Sequence, residues 1–512
     1  MSQLCPRLRT SPVHPAHWRM ARFSGKLAKA RQEARMADEI DKAGGEPSDA
    51  SPPTQAKFLT GSLMRHITVM ALTSSVGLMA IFLVDLVDMI FISWLGRDEL
   101  AAAVGYAGAI LFFTSSFGIG MSIAAGALVA RALGEGEVQK ARRRAATALF
   151  YGAVLGGVFA AIVWMNIRPL AALLGASGTT LDLAQHYLQI ILPSLPVLII
   201  AMVGGAILRA HGDARRAMMA TIAGGAVNAV LDPILIFGLG LDLTGAALAS
   251  VAARITIAIL SIWPILTHHG GLDRPTRDAF SVDFPDLMKI AIPAILTQFA
   301  TPIGQAYITR SMSTFGEDAV AGMAITGRLV PVAFGVIFAL SGAIGPVIGQ
   351  NYGAGNMDRV RQAFRDGLLF TAIVTLCVAT LLFVFRAPIA DLFNAQGIAR
   401  ELVYLFCGPL ALLWFFNGVI FVTNAGFNNL GHPFRSTMIN WGRQTVGTVP
   451  FVILGAQLWG APGVMIGWAM GGLVFAVIAL VMFQRMLMRE TCTVATGFTR
   501  QRRQLALFNF RR

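Results

Sequence analysis

Charge is what this sequence has least of. Only 13% of its 512 residues are charged and 55% are hydrophobic, whereas a soluble globular chain carries about 25% charged residues. Residues 1–60 hold sixteen of the charges, so the remaining 452 residues are about 11.5% charged. That is too few to clothe a water-facing surface, and it implies a polytopic membrane protein. Cysteine is scarce as well. Cys5, Cys377, Cys407 and Cys492 are far apart and form no CxxC or Cys/His cluster, which argues against a disulfide framework or a zinc site. The sequence has no Gly-x4-Gly-Lys-Ser/Thr loop, no HExxH and no GxSxG. ATP hydrolysis, zinc proteolysis and serine-hydrolase chemistry are therefore not expected, nor is any cofactor or resident metal.

Long apolar runs are what is there. Twelve stretches, at 65–94, 99–131, 145–167, 184–208, 214–238, 244–267, 286–312, 319–349, 364–386, 401–427, 434–456 and 461–484, are separated by short polar or glycine-containing links. A helix rising 1.5 Å per residue needs about 20 residues to cross a bilayer core. An isolated strand would leave its backbone unpaired in lipid, so the spans are expected to be helices. Links after spans 2, 4, 6, 8 and 10 hold fifteen Lys and Arg and the other links five. This asymmetry predicts that both termini lie in the cytoplasm, in a bacterial-type inner (plasma) membrane. The net charge of +14 is thus carried by links and tails and needs no nucleic-acid partner. Residues 1–60 are expected to be a disordered basic tail, or the product of a start codon misassigned ahead of Met20 or Met36. Residues 488–512 are expected to form a basic cytoplasmic tail.

The chain also repeats itself. Leu95-Gly96-Arg97-Asp98-Glu99-Leu100-Ala101 returns as Phe315-Gly316-Glu317-Asp318-Ala319-Val320-Ala321, and Leu133-Gly134-Glu135-Gly136 as Tyr352-Gly353-Ala354-Gly355. Ala210-His211-Gly212-Asp213 returns as Leu430-Gly431-His432-Pro433. The offsets, 219 to 220, predict two six-helix lobes at 61–270 and 283–487. Six is even, so both lobes enter the membrane in the same sense as a parallel pseudo-twofold repeat. Such a pair suits alternating access around a central cavity.

Few charges fall inside the spans away from their ends. Asp85, Asp88, Asp232, Arg254, Arg328 and Arg443 do, and an intramembrane charge costs about 2.5–3.5 kcal/mol unless a cavity or partner receives it. The repeat acts as an internal control. Asp88 pairs with Ile308, and aligning Pro233 with Pro450 pairs Asp232 with Val449, so the second lobe keeps the helices and drops the acids. Asp85 and Asp88 lie at i, i+3, Asn228 and Asp232 at i, i+4, and Ser250 follows a tight link on the next span. A second acid nearby disfavours the doubly charged form, which suits proton capture and release. Arg254, one turn beyond Ser250, is read as an ion-pair partner. Arg328 and Arg443 are read equally as cavity-lining or structural.

Three motifs carry a resemblance. Val87-Asp88-Met89-Ile90-Phe91 with Leu95-Gly96, Val230-Leu231-Asp232-Pro233-Ile234-Leu235-Ile236-Phe237-Gly238, and Gly349-Gln350-Asn351-Tyr352-Gly353-Ala354-Gly355 resemble the multidrug and toxic compound extrusion (MATE) family, in its DNA-damage-inducible protein F-like branch. The likeness covers roughly residues 60–485. It implies a monomeric antiporter that exports hydrophobic, cationic small molecules in exchange for H+ or Na+. It also implies that the coupling cation is handled by Asp88, Asn228, Asp232 and Ser250. Related transporters often carry a proline early in span 1, linked to bending of that helix, where Thr73 stands here. The alternative is a flippase for a lipid-linked oligosaccharide, which a convergence of Arg254, Arg328 and Arg443 on the cavity would favour.

Overall fold

The computed structural model describes residues 56–94, 98–273 and 277–509. Most of the expected N-terminal tail, the Asp85 and Trp94 side chains and the basic C-terminal side chains lie outside what is described. The first lobe comprises α1 (Leu63–Trp94), α2 (Asp98–Gly134), α3 (Val138–Met165), α4 (Ile167–Leu173), α5 (Gly178–Ile191), α6 (Leu195–Ala210), α7 (Ala214–Pro233) and α8 (Asp242–His268). The second comprises α9 (Arg277–Ser313), α10 (Glu317–Ala333), α11 (Gly335–Gly353), α12 (Met357–Val384), α13 (Arg386–Leu392), α14 (Gly397–Leu405), α15 (Ala411–Asn429), α16 (Pro433–Gln444) and α17 (Val449–Asn509).

Among the described residues ten helical stretches are long and apolar enough to cross a membrane, and the pair α10 and α11, bent by 47°, makes an eleventh. The stretch Pro433–Arg489 is itself a hairpin. It turns at Gly460, whose φ of 62° is open to a residue without a Cβ. Beyond the turn Gly455 packs on Gly463, Gly467 on Phe451 and Gly471 on Gly447, the pattern of two antiparallel arms in backbone contact. Counted as two arms, it brings the crossings to the twelve that the apolar runs predict.

The repeat extends beyond its motifs. α2 ends at Gly134 and α11 at Gly353, α3 runs Val138–Met165 and α12 Met357–Val384, and α7 begins at Ala214 and α16 at Pro433. All differ by 219, and the short helices α4 and α13 obey the same offset. One expectation is thereby corrected. At 219 the counterparts of Asp88 and Asp232 are Tyr307 and Phe451 rather than Ile308 and Val449. Neither is acidic, so the asymmetry between the lobes stands. α1 is unbroken while α9 contains Pro285, Pro293 and Pro302.

The lobes meet at the end that carries the basic links. A Cβ on Gly134 would stand 2.0 Å from the Gln350 carbonyl oxygen, and one on Gly353 2.2 Å from that of Arg131. Near the other end a Cβ on Gly105 or Gly108 of α2, or on Gly316 or Gly327 near α10, would meet nothing. Residues 56–60, assigned above to the tail, are folded against this closed end, with Phe58 1% exposed.

At the same end, the link from α6 to α7 carries a titratable corner. Asp213 caps α7, accepting from the Arg216 backbone N–H at 3.3 Å, and receives His269 Nε2 at 3.2 Å. Burial opposes its charge, but the bonds from His269 and Arg216 prevail and hold this carboxyl well below the usual range. His211 stacks on His269, ring centroids 4.5 Å apart, and burial, reinforced by His269 and Arg142, pushes it down to about 4. A histidine held neutral in the fold binds fewer protons than the unfolded chain between pH 4 and 6.5. Stability should therefore be flat above pH 6.5 and fall as pH drops toward 4, by up to about 3 kcal/mol. Asp213 adds its own slope only below about pH 5, as its charge is lost through and below the ordinary carboxylate range. Thermal unfolding of His211→Gln should lose this acid-side decline; a slope equal to that of the parent would assign it elsewhere.

Candidate functional site

The two intramembrane acids of the first lobe converge. α7 lies between α1 and α8 because its contact face is nearly bare. A Cβ on Gly225 would stand 3.0 Å from the Val84 Cγ2, and one on Gly224 2.2 Å from the Ile257 Cγ1. Small residues let helix backbones approach where lipid supplies no hydrophobic drive. This close approach brings Asp88, near the end of α1, to Asp232, in the last turn of α7.

The two carboxyl groups lie close enough to act on one another's charge. Asn228, one turn earlier, donates from Nδ2 to Asp232 Oδ2 at 3.3 Å, while Asp88 Oδ1 and Asp232 Oδ1 are buried with no hydrogen-bond partner. Asp232 is fully buried. Two buried carboxyls this close disfavour the doubly charged form, so the arrangement suits the binding of a proton. Pro233 and the wider turn at Ile234–Gly238 end α7 just beyond the acid. Proline supplies no backbone N–H, and such wide turns recur at functional sites. The turn is clamped by the α8 start, where a Cβ on Gly245 would be 2.7 Å from the Leu235 carbonyl carbon.

Ser250 joins through a residue that sequence reasoning missed. The hydroxyl of Tyr187, on α5, faces Ser250 and lies within electrostatic reach of Asp88 and Asp232. Tyr187 is 7% exposed. A tyrosine in an apolar span needs a partner for its hydroxyl, and that requirement was the available signal. The expected pairing of Arg254 with an acid is corrected. Its Nη1 donates to the Ser194 Oγ at 2.8 Å and to the Ile191 carbonyl at 3.1 Å, so it ties α8 to the kink between α5 and α6 and leaves the acids to each other.

The three arginines occupy separate surroundings. Arg254 is committed to Ser194, Arg328 on α10 is exposed, and Arg443 on α16 is 8% exposed inside the second lobe. Arg443 Nε has no hydrogen-bond partner, and among the described residues no carboxylate pairs with the guanidinium. Around it the second lobe is amide-rich, with Asn424, Asn440 and Gln444 buried. The lobes thus differ in polarity, one acidic at its centre and the other basic.

Comparison with known proteins follows this geometry. A protein 29% identical over 84% of this chain and 96% of its own length is the FAD transporter of Shewanella oneidensis. The multidrug export protein MepA of Staphylococcus aureus is 23% identical over 83% of this chain and 94% of its own. A crystal structure of the Vibrio cholerae MATE transporter VcmN superposes with a TM-score of 0.79 at 25% identity, covering 83% of this chain and 97% of that one. The MatE family model matches residues 74–234 and 293–454, one copy in each lobe. With both halves of its twelve-helix body matched, this chain belongs to the MatE family, the MATE transporters of the membrane.

Proposed function

We propose that this protein is a cation-coupled exporter of hydrophobic, cationic small molecules, working by alternating access with its basic-link end and both termini in the cytoplasm. The observation that carries this reading is the close approach of Asp88 to the buried Asp232. When the pair holds its proton it bears at most one negative charge and has little hold on a cationic substrate. When the proton leaves toward the cytoplasm, two carboxylates in a low-dielectric site attract the next cation. Exchange follows because proton and substrate compete for one charge.

Oxygen donors from Asp88, Asp232, Asn228 and Ser250 are also the ligand type that Na+ takes, so the test varies both ions independently. In proteoliposomes, uptake of a lipophilic cationic dye should respond to an imposed pH gradient at zero Na+. Uptake that follows only the Na+ gradient would replace the proton by Na+, and uptake indifferent to both would end the reading.

Arg443 favours a second reading. A buried guanidinium without a carboxylate suits a substrate that brings its own negative charge, and one relative is named an FAD transporter. FAD trapped in the same vesicles should then exchange, and Arg443→Gln should slow it at least tenfold while leaving dye transport intact.

A further inference from the structure

Residues 56–62 connect the two lobes across the closed end. The short helical turn Lys57–Leu59 places Phe58, 1% exposed, in a core that also contains Ile67 and Ala214 of the first lobe and Val347 and Val360 of the second. Its backbone is fastened to the second lobe. The Phe58 N–H donates to Gln350 Oε1 at 2.9 Å, while the Phe58 carbonyl accepts from Asn351 Nδ2 at 3.1 Å and Arg359 Nη2 at 3.0 Å. Arg359 Nη2 also reaches the Gly61 carbonyl at 3.1 Å. On the first-lobe side Lys57 Nζ donates to the Gly212 carbonyl at 2.9 Å. Gly212, at φ +78°, fits so closely beneath the segment that a Cβ there would be 2.7 Å from the Lys57 Cδ. Gln350 completes the bridge, its Nε2 donating to the Ala210 carbonyl at 2.8 Å.

One short segment therefore holds a buried aromatic ring and, counting the Gln350 bridge, six hydrogen bonds at the seam between two lobes. We infer that residues 56–62 are a releasable latch: Phe58 plugs the seam at the basic-link end, and the segment must let go of one lobe before that end can open. The inference rests on the alternating-access reading above, since only a protein whose lobes separate at this end needs a latch there. It also gives Gln350 and Asn351, part of the motif that carried the family resemblance, a physical task. They grip the strap rather than the transported compound. Four hydrogen bonds hold the segment to the second lobe and Thr60 is bonded to His66 of α1, whereas Lys57 makes one bond to the α6–α7 link, so release is expected at Gly212.

The test reads the gate without substrate or ion, so it stands apart from the transport experiment. In a background with the four native cysteines changed to serine, spin labels are placed at Gln139→Cys and Asp358→Cys, exposed positions on the two lobes at this end. Distances are measured in lipid nanodiscs. Phe58→Ala should enlarge the long-distance population at least threefold while the chain elutes as the parent does. Should Phe58→Ala fail to fold, Lys57→Ala and Arg359→Gln, which remove hydrogen bonds from opposite sides of the strap, carry the same measurement. An unchanged distance distribution in a folded variant overturns the latch. Opened distances with unaltered dye coupling would retain the latch and turn attention to the proposed coupling site.

Discussion

Asp232→Asn is expected to reduce proton-driven dye exchange at least a hundredfold while leaving the protein folded, with a weakened hold on the cationic dye. The side chain keeps its shape, and an amide can donate to the Asp88 carboxylate as readily as it accepts from Asn228, so the α1–α7 contact survives. What is lost is the second titratable oxygen pair and, with it, the shared proton. Asp88→Asn should give the same result because neither acid acts alone. Asn228→Ala should cost less, since it removes one donor at 3.3 Å but no proton. Proton flux in and out of proteoliposomes, followed with a trapped pH indicator during dye exchange, reads these differences directly. If either Asp variant exchanges protons for dye at the parental ratio, the pair is structural and the coupling site lies elsewhere. Asp85→Asn is the control: a loss as large as that of Asp88→Asn would mean that the wrong acid of α1 has been chosen.

The stoichiometry that the pair permits has an energetic consequence. One proton exchanged for one monovalent cation moves no net charge, so only the pH gradient drives it. Two protons move one net charge, and about 100 mV then adds about 2.3 kcal/mol, a factor of roughly 50 in the substrate gradient. A pair of acids this close offers both modes. The dependence of the final dye gradient on membrane potential separates them.

Much of this was legible from residue order because lipid removes alternatives. The twelve crossings follow from run length, and the two lobes from motifs spaced 219 to 220 apart. Asp88 and Asp232 stood out because the second lobe repeats the helices without the acids. Their proximity was not legible, since it depends on how closely α7 can approach α1, which Gly225 sets. Tyr187 was hidden because a lone aromatic in an apolar run looks like every other one. Arg254 was misjudged because spacing along one helix cannot report a backbone carbonyl on another, and Ile191 and Ser194 sit about sixty residues away. The latch was lost for the opposite reason. Its seven residues adjoin a polar, proline-rich stretch and share its composition, and only the cleft between two lobes distinguishes them.

Closure of the basic-link end should be equally sensitive to a single methyl group. Gly134 and Gly353 are repeat counterparts, each the last residue of its helix, and each lies on a backbone carbonyl of the opposite lobe. Real side chains do not approach a carbonyl oxygen to about 2 Å, so Gly134→Ala requires α2 and α11 to part by more than an ångström along the seam. Separation there would also pull Gln350 from Ala210 and loosen the latch at its root. The closed end then becomes the disfavoured one. Turnover should fall at least tenfold, equivalent to about 1.4 kcal/mol, without a comparable loss of thermal stability, because the penalty falls on one arrangement of the lobes and spares their interiors. Gly353→Ala should do the same, and the double substitution should do little more than either alone, since one clash already holds the helices apart. Labels at Gln139→Cys and Asp358→Cys should report the separation. Parental turnover and distances in Gly134→Ala would mean that the lobes close by a different contact and that this glycine pair only fills space.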